Sequence, residues 1–208
     1  MECITLALAK GRTAKGAIAI LKRAGFHFAD FHEKSRKLVF YDTKKQIKLI
    51  FVKAVDVPTY VDKGAADIGI AGKDNIMEAQ VDLYELLDLK LGKCKFAVAG
   101  LPDQKIDHTT VLTVASKYPN VAEHYFEQKG ITVDTIKLNG SVELAPLIGM
   151  ADVIVDIVET GNTINENGLT IIEDMEPIST RLIVNKASFA TKTKEIQQII
   201  KKLESVLE

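Results

Sequence analysis

Nine short runs rich in β-branched and aliphatic residues recur along the chain, at 4–9, 37–41, 47–52, 67–71, 95–101, 110–115, 132–138, 153–157 and 181–185. Helical patterns fall between them at 14–24, 56–63, 73–79, 120–129, 141–150 and 192–207. Such alternation predicts an α/β architecture of mostly parallel sheets joined by crossover helices. In the last segment Ile196, Ile199, Ile200, Leu203, Val206 and Leu207 form one stripe with Lys and Glu opposite, which predicts a helix packed back onto the first strands. Lys192, Lys194, Lys201 and Lys202 are expected on its solvated face.

The chain of 208 residues is long enough for one large domain or two lobes of about 100 residues each. No Pro-, Gly- or Ser-rich linker divides it, so two lobes would be joined by strands that cross between them, near 93–95 and 177–181. That predicts a discontinuous first lobe (1–91 plus 178–208), a second lobe over 92–177, and a ligand cleft between them. The net charge of −1 argues against non-specific nucleic-acid binding, and any anion site must come from local placement of cations. Arginine is scarce, at Arg12, Arg23, Arg36 and Arg181, so each is a candidate for gripping phosphate or carboxylate. The first nine residues carry an acid at position 2 and no basic leader, and neither a signal peptide nor a membrane span is expected. Cys3 and Cys94 lack metal-ligand spacing and fit a reducing cytoplasm, as two small buried residues. The four histidines form neither a zinc pattern nor a triad.

One junction carries more chemistry than the others. The strand at 153–157 contains Asp156 near its end and is followed by Glu159-Thr160-Gly161-Asn162-Thr163 and a helix. Gly161 lets backbone approach a ligand, Thr160 and Thr163 supply hydroxyls, and N–H groups at a helix start favour an anion. Asp156 and Glu159 repel bare phosphate but suit ribose hydroxyls or magnesium, so the mixture points to a phosphoribosyl group. An ordinary strand–helix connection of Gly, Thr and Asn is the alternative. Lys10-Gly11-Arg12 follows the first strand, at the edge where open α/β sheets bind ligands. Lys53 ends another strand before Asp56, a plausible helix cap followed by Pro58. The glycines of 64–74, Gly72 among them, serve either helix–sheet packing or direct backbone contact with a ligand.

Taken together, these segments closely resemble the ATP phosphoribosyltransferases of histidine biosynthesis, in their short form. The resemblance rests on Glu143 through Gly149, Ala151, Ile154, Asp156, Thr160-Gly161 and Thr163, with Leu6-Ala7-Leu8, Lys10-Gly11-Arg12, Asp56-Val57-Pro58, Asp67 through Ile70, Gly72, Asp74 and Arg181 through Asn185 in the same order. It implies a two-lobed fold similar to type II periplasmic binding proteins, a magnesium cofactor, and a reaction joining ATP to phosphoribosyl pyrophosphate. It further implies a cytoplasmic catalytic subunit without the long form's C-terminal regulatory domain, working as a hetero-oligomer with a regulatory subunit related to histidyl-tRNA synthetases. Under this resemblance Asp156 and Glu159 through Thr163 bind phosphoribosyl pyrophosphate. Lys10, Arg12, Arg36 and Lys53 stabilise phosphate charge, with Gly11 and Gly72 beside ATP or pyrophosphate. The chain departs from the pattern at Ile164, Asn165 and Lys53, the last of which is usually Arg. A cytosolic solute-binding or sensor module of the same fold, and a nucleobase phosphoribosyltransferase, are the alternatives; the latter usually has two adjacent acids, where Asp156 is followed here by Ile157.

Overall fold

The structure is a computed structural model that describes residues 2–32, 34–107 and 109–207; the Arg12 side chain and His108 lie outside the described set. The chain forms two compact units, Met1–Gly92 with Ser179–Glu208, and Lys93–Ile178.

The first unit is built on β1 (Ile4–Ala9), β2 (Val39–Tyr41), β3 (Ile47–Val52), β4 (Ile68–Gly72), β5 (Tyr84–Asp88) and β11 (Thr180–Val184), in the order β2-β3-β1-β4-β11-β5. β1 is almost wholly buried because it lies between parallel partners, with Leu8 opposite Phe51 on β3 and Ile70 on β4. Its period of two sorts the core. Ile4, Leu6 and Leu8 join the large cluster that includes Ala17 and Leu21 of α1 (Arg12–Arg23) and Ile196, Ile199 and Leu203 of α8 (Thr193–Glu204), while Ala7 and Ala9 join Val57 and Val61 of α2 (Val57–Asp62). α2 sits close to β4 because Gly69 carries no side chain: a Cβ there would lie 2.7 Å from Val61 and 2.9 Å from Val57. Asp67 closes the amino end of this unit. Its buried carboxylate accepts from the Thr5 N–H (2.8 Å), the Ser188 hydroxyl (2.8 Å) and the Lys192 ammonium (2.9 Å).

The second unit holds β6 (Cys94–Gly100), β7 (Leu112–Ser116), β8 (Val133–Lys137), β9 (Val153–Val158) and β10 (Thr170–Ile178), in the order β10-β6-β9-β7-β8. β9 is central, antiparallel to β6 and parallel to β7.

The sheets are mixed rather than mostly parallel. Each has a parallel trio: β3-β1-β4 has antiparallel strands on both sides, whereas β8-β7-β9 has them beyond β9 only, with β8 at the edge. Two flanking strands escape the sequence pattern. β5 is an edge strand that is largely exposed, and β10 is a bulged edge strand carrying Glu173, Asp174, Glu176 and Pro177. The helix expected at 141–150 shrinks to α5 (Leu144–Leu147), because Ser141 and Gly149 take left-handed conformations on either side of it. Asp56 does not cap α2 through its side chain. It takes helical dihedrals at the end of a one-turn 3-10 segment, Ala54–Asp56. Lys192 precedes α8 and pairs with Asp67 instead of facing solvent freely, and α7 (Lys186–Thr191) fills the space before it, capped by Asn185. Neither cysteine is buried: Cys3 is exposed and Cys94 half-buried.

Candidate functional site

In the second unit, alternation along β9 puts Asp156 on the face of Ile154 and Val158, opposite Ala97 of β6. Asp156 itself is half-buried. The chain then leaves the sheet through Glu159 and Thr160, turns at Gly161 (φ 81, ψ −3), and enters the short helix α6 (Asn162–Glu166). The turn is held at both ends. Ile164 and Leu169 sink into the alanine-rich core formed by Ala97, Ala99, Ala115 and Ala145, which anchors α6 behind the loop. Inside the turn the Asn165 N–H donates to the Gly161 carbonyl at 3.0 Å, and the Asn162 N–H leans toward Thr160 Oγ1 at 3.4 Å. Glu159, Thr160, Asn162 and Thr163 are left exposed. The loop therefore presents two hydroxyls and the N–H groups of a helix start to solvent, with carboxylates on its strand side.

A residue absent from the sequence reading fixes the strand end. Ser116, fully buried at the end of β7, donates its hydroxyl to the Val155 carbonyl (2.6 Å) and accepts from the Tyr118 N–H (2.8 Å). This ties β9, one residue before Asp156, to the turn that opens α4 (Pro119–Gln128). A lone Ser in a β-branched run gives no sequence signal of that bond.

In the first unit the parallel register gathers the predicted cations. Ala9 pairs with Val52 and Leu8 with Ile70, so Lys10, Lys53 and Gly72 follow at one carboxyl edge. Lys10 and Lys53 line a common hollow of about 500 Å³ with Leu38, Phe51, Val52 and Ala54. Gly11 supplies a left-handed turn (φ 118) and no side chain caps α1, while Arg12 is its first residue. Lys10 donates to the Ser35 carbonyl at 3.1 Å, whereas Lys53 makes no ion pair among the described residues. Arg36 is exposed and lies outside both hollows described here. Gly72 gives way to its own neighbour: a Cβ would fall 2.1 Å from Asp74 Oδ1, so the glycine makes room for that carboxylate.

A second hollow, about 350 Å³, is lined by Lys10, Gly11, Ala14, Lys15, Phe31, Ser35, Lys37, Phe40 and Phe51. Its aromatic floor was not anticipated, although five of the eight phenylalanines fall between residues 26 and 51. Arg181 faces Glu85 (3.5 Å) and Asp88 (3.4 Å) within the sheet and has a structural place. Arg23 hydrogen-bonds the Val206 carbonyl near the end of α8.

Nucleophilic chemistry from cysteine has no support. Partial burial and the nearby Asp42 carboxylate push the Cys3 thiol above its ordinary value, which disfavours the thiolate. Among the described residues no three His, Cys, Asp or Glu side chains converge into a metal cage.

Comparison with known proteins shows the family and the fold. The family model for ATP phosphoribosyltransferase matches residues 53–205. An ATP phosphoribosyltransferase from Oceanobacillus iheyensis is 58% identical over 207 residues, covering 100% of both chains, and one from Thermoanaerobacter sp. is 55% identical over 208 residues, covering 100% of this chain and 98% of its own. Among solved structures, an ATP phosphoribosyl transferase (HisG:HisZ) complex from Thermotoga maritima contains a chain that superposes with TM-score 0.85 at 35% identity, over 98% of each chain. The periplasmic aliphatic sulphonate binding protein SsuA from Escherichia coli shares the fold alone, with TM-score 0.58 at 12% identity over 100% of this chain and 73% of its own. The chain therefore belongs to the ATP phosphoribosyltransferase family of pentosyl-transferring enzymes.

Proposed function

We propose that this chain is a catalytic subunit that joins adenine N1 of ATP to the anomeric carbon of phosphoribosyl pyrophosphate, releasing pyrophosphate. The observation that carries the proposal is the β9–α6 turn, where Thr160 and Thr163 stand exposed around a left-handed Gly161 and beside Asp156. The loop Glu159 to Thr163 grips the 5′-phosphate through backbone N–H groups and the two hydroxyls. Asp156 orients the ribose hydroxyls. Adenine N1 is a neutral nucleophile, and pyrophosphate leaves readily once its charge is countered, so catalysis asks for position and electrostatics more than for a strong base. Lys10, Arg12, Arg36 and Lys53 provide that positive charge, with Gly11 and Gly72 beside the phosphates of ATP or the leaving group.

Asp156 and Glu159 are the residues that would hold magnesium, whose contribution when bound is to neutralise the diphosphate. The chain works as a hetero-oligomer with a regulatory subunit of the histidyl-tRNA-synthetase type, by analogy with the Thermotoga maritima complex, and acts in the cytoplasm. No helix among the described residues is long and apolar enough to cross a membrane.

The test is the ultraviolet absorbance change on mixing the chain with ATP, phosphoribosyl pyrophosphate, magnesium and pyrophosphatase, with and without the regulatory subunit. Phosphoribosyl-ATP formation is expected, with faster turnover when both subunits are present. Transfer to free adenine but not ATP would replace the proposal with a purine-salvage activity. A folded chain inert in every mixture would leave a binding module.

A further inference from the structure

We propose that Ser116 is a positioning residue for the transfer reaction: its buried hydroxyl sets where the end of β9 lies and therefore where the Asp156 carboxylate stands. The inference rests on Asp156 orienting the ribose hydroxyls of phosphoribosyl pyrophosphate. Ser116 has no exposed surface, and its hydroxyl is engaged on both sides, donating to the Val155 carbonyl at 2.6 Å and accepting from the Tyr118 N–H at 2.8 Å. Its own carbonyl accepts from the Leu138 N–H at 2.9 Å. One residue thus joins the carboxyl ends of β7, β8 and β9, the parallel trio of the second unit, to the turn before α4. Open α/β sheets bind ligands at that edge.

The two residues that flank Asp156 are held by this one turn. Val155 precedes it and takes the serine hydroxyl. Ile157 follows it and lies opposite Phe96 of β6, whose ring meets Tyr118 edge-on (centroids 5.2 Å apart, 82° between planes). Phe96 and Tyr118 are both core residues. Asp156 itself pairs with Ala97, whose methyl group offers a carboxylate no hydrogen bond. The backbone on either side therefore decides where the carboxylate sits. A buried hydroxyl with both bonds made holds that backbone more firmly than packing alone, because a shift of β9 would leave buried polar groups unmet. Alanine at 116 would keep the strand and remove the hydroxyl from both the Val155 carbonyl and the Tyr118 N–H. The cations proposed for the ATP phosphates lie in the first unit, so the change is expected to reach one substrate and not the other.

Calorimetric titration of the full chain with phosphoribosyl pyrophosphate and magnesium, below the lowest melting temperature of the set, reads the effect. Ser116→Ala should weaken binding by about tenfold, short of the roughly hundredfold that a misplacement of about 1 Å can cost, and should leave KM for ATP near wild type in turnover with the regulatory subunit. Ser116→Thr, which restores the hydroxyl, should recover most of the affinity; a purely structural role would lower Tm without this split between substrates. If Ser116→Ala does not fold, Ser116→Cys keeps the volume and weakens both bonds, and the loss is expected of it instead. In a chain that already carries Asp156→Ala, Ser116→Ala should add less than about twofold, because two groups acting through one strand end are not additive. Wild-type affinity in the folded Ser116→Ala chain, equal losses in Ser116→Ala and Ser116→Thr, or the full loss repeated in the Asp156→Ala background would overturn the inference. Asp156→Ala alone judges the reading beneath it. An affinity indifferent to that change removes Asp156 from the ribose and takes the inference with it, whereas an affinity that depends on Asp156 but not on Ser116 keeps the reading and ends the inference alone.

Discussion

Gly161→Ala separates backbone conformation from packing at the β9–α6 loop. An added Cβ would have its nearest neighbours at 3.8 Å (Ile171), 3.9 Å (Val158) and 4.0 Å (Asn165), all ordinary contact distances, so space is not the obstacle. The obstacle is φ 81, which an L-residue adopts at a cost of about 1–2 kcal/mol. Alanine also restricts the unfolded chain, returning about 0.4–1 kcal/mol. The net destabilisation is then about 1 kcal/mol, or roughly 2–4 °C in Tm for a chain of this size. Relieving the strain by rotating the turn would redirect the N–H groups at the start of α6. KM for phosphoribosyl pyrophosphate should rise about tenfold, equivalent to about 1.4 kcal/mol, while KM for ATP stays near wild type. Thermal melts and initial rates at varied concentrations of each substrate measure both quantities. A fall in Tm beyond about 10 °C would show that Gly161 serves packing, and an unchanged KM for phosphoribosyl pyrophosphate would remove the loop from the substrate.

Three other substitutions test separate parts of the argument. Asp67→Ala removes the acceptor of the Thr5, Ser188 and Lys192 donors; an unmet buried donor costs about 1–3 kcal/mol, and Lys192 can turn to water, so a total loss of about 2–4 kcal/mol is expected in denaturant unfolding, with both KM values preserved. Lys53→Ala should lower turnover by about a hundredfold, the scale of losing one charge-stabilising group, whereas Lys53→Arg should keep or raise it because a guanidinium adds a bidentate grip; equal turnover in Lys53→Ala and wild type would exclude the residue from catalysis. Asp156→Asn keeps the shape of the β9 end and removes its charge, so affinity for phosphoribosyl pyrophosphate should fall more than affinity for ATP in calorimetric titration, and equal losses would contradict a ribose-binding role.

Legibility from sequence followed burial. The inner strands, β1 and β3 to the residue and β9 within one, stand out because they are rich in aliphatic and β-branched residues, with β1 and most of β9 buried and β3 burying every second side chain. Edge strands carry no such mark. β5 and β10 mix charged residues with exposed apolar ones such as Leu86 and Ile171, and local composition alone does not separate them from loops. The Asp156–Thr163 turn was readable because a glycine, two threonines and a strand-end acid lie close together in sequence. The aromatic hollow was not, since Phe31, Phe40 and Phe51 belong to a loop and two strands and meet only through the antiparallel pairing of β2 with β3 and the packing of the 27–38 segment. Ser116 illustrates the same limit: its bond to the Val155 carbonyl spans 39 residues and depends on parallel pairing of β7 with β9.

Pairing separates several scaffold lysines from the two strand-end cations proposed for the site, in a chain whose net charge is only −1. Lys73, Lys95, Lys129, Lys186 and Lys192 each meet a carboxylate, on Glu85, Asp174, Glu173, Asp82 and Asp67, and each ties together segments distant in sequence. A lysine already neutralised in that way has little field left for a ligand. Among the described residues Lys10 meets the Ser35 carbonyl and the Phe51 ring face, and Lys53 makes no ion pair. These two hold adjoining positions beyond parallel strands, Lys10 after Ala9 and Lys53 after its register partner Val52. Two ammonium groups brought to adjoining strand ends repel each other wherever no carboxylate stands between them. A polyanion would relieve such repulsion, and under the proposed function the same placement favours a di- or triphosphate.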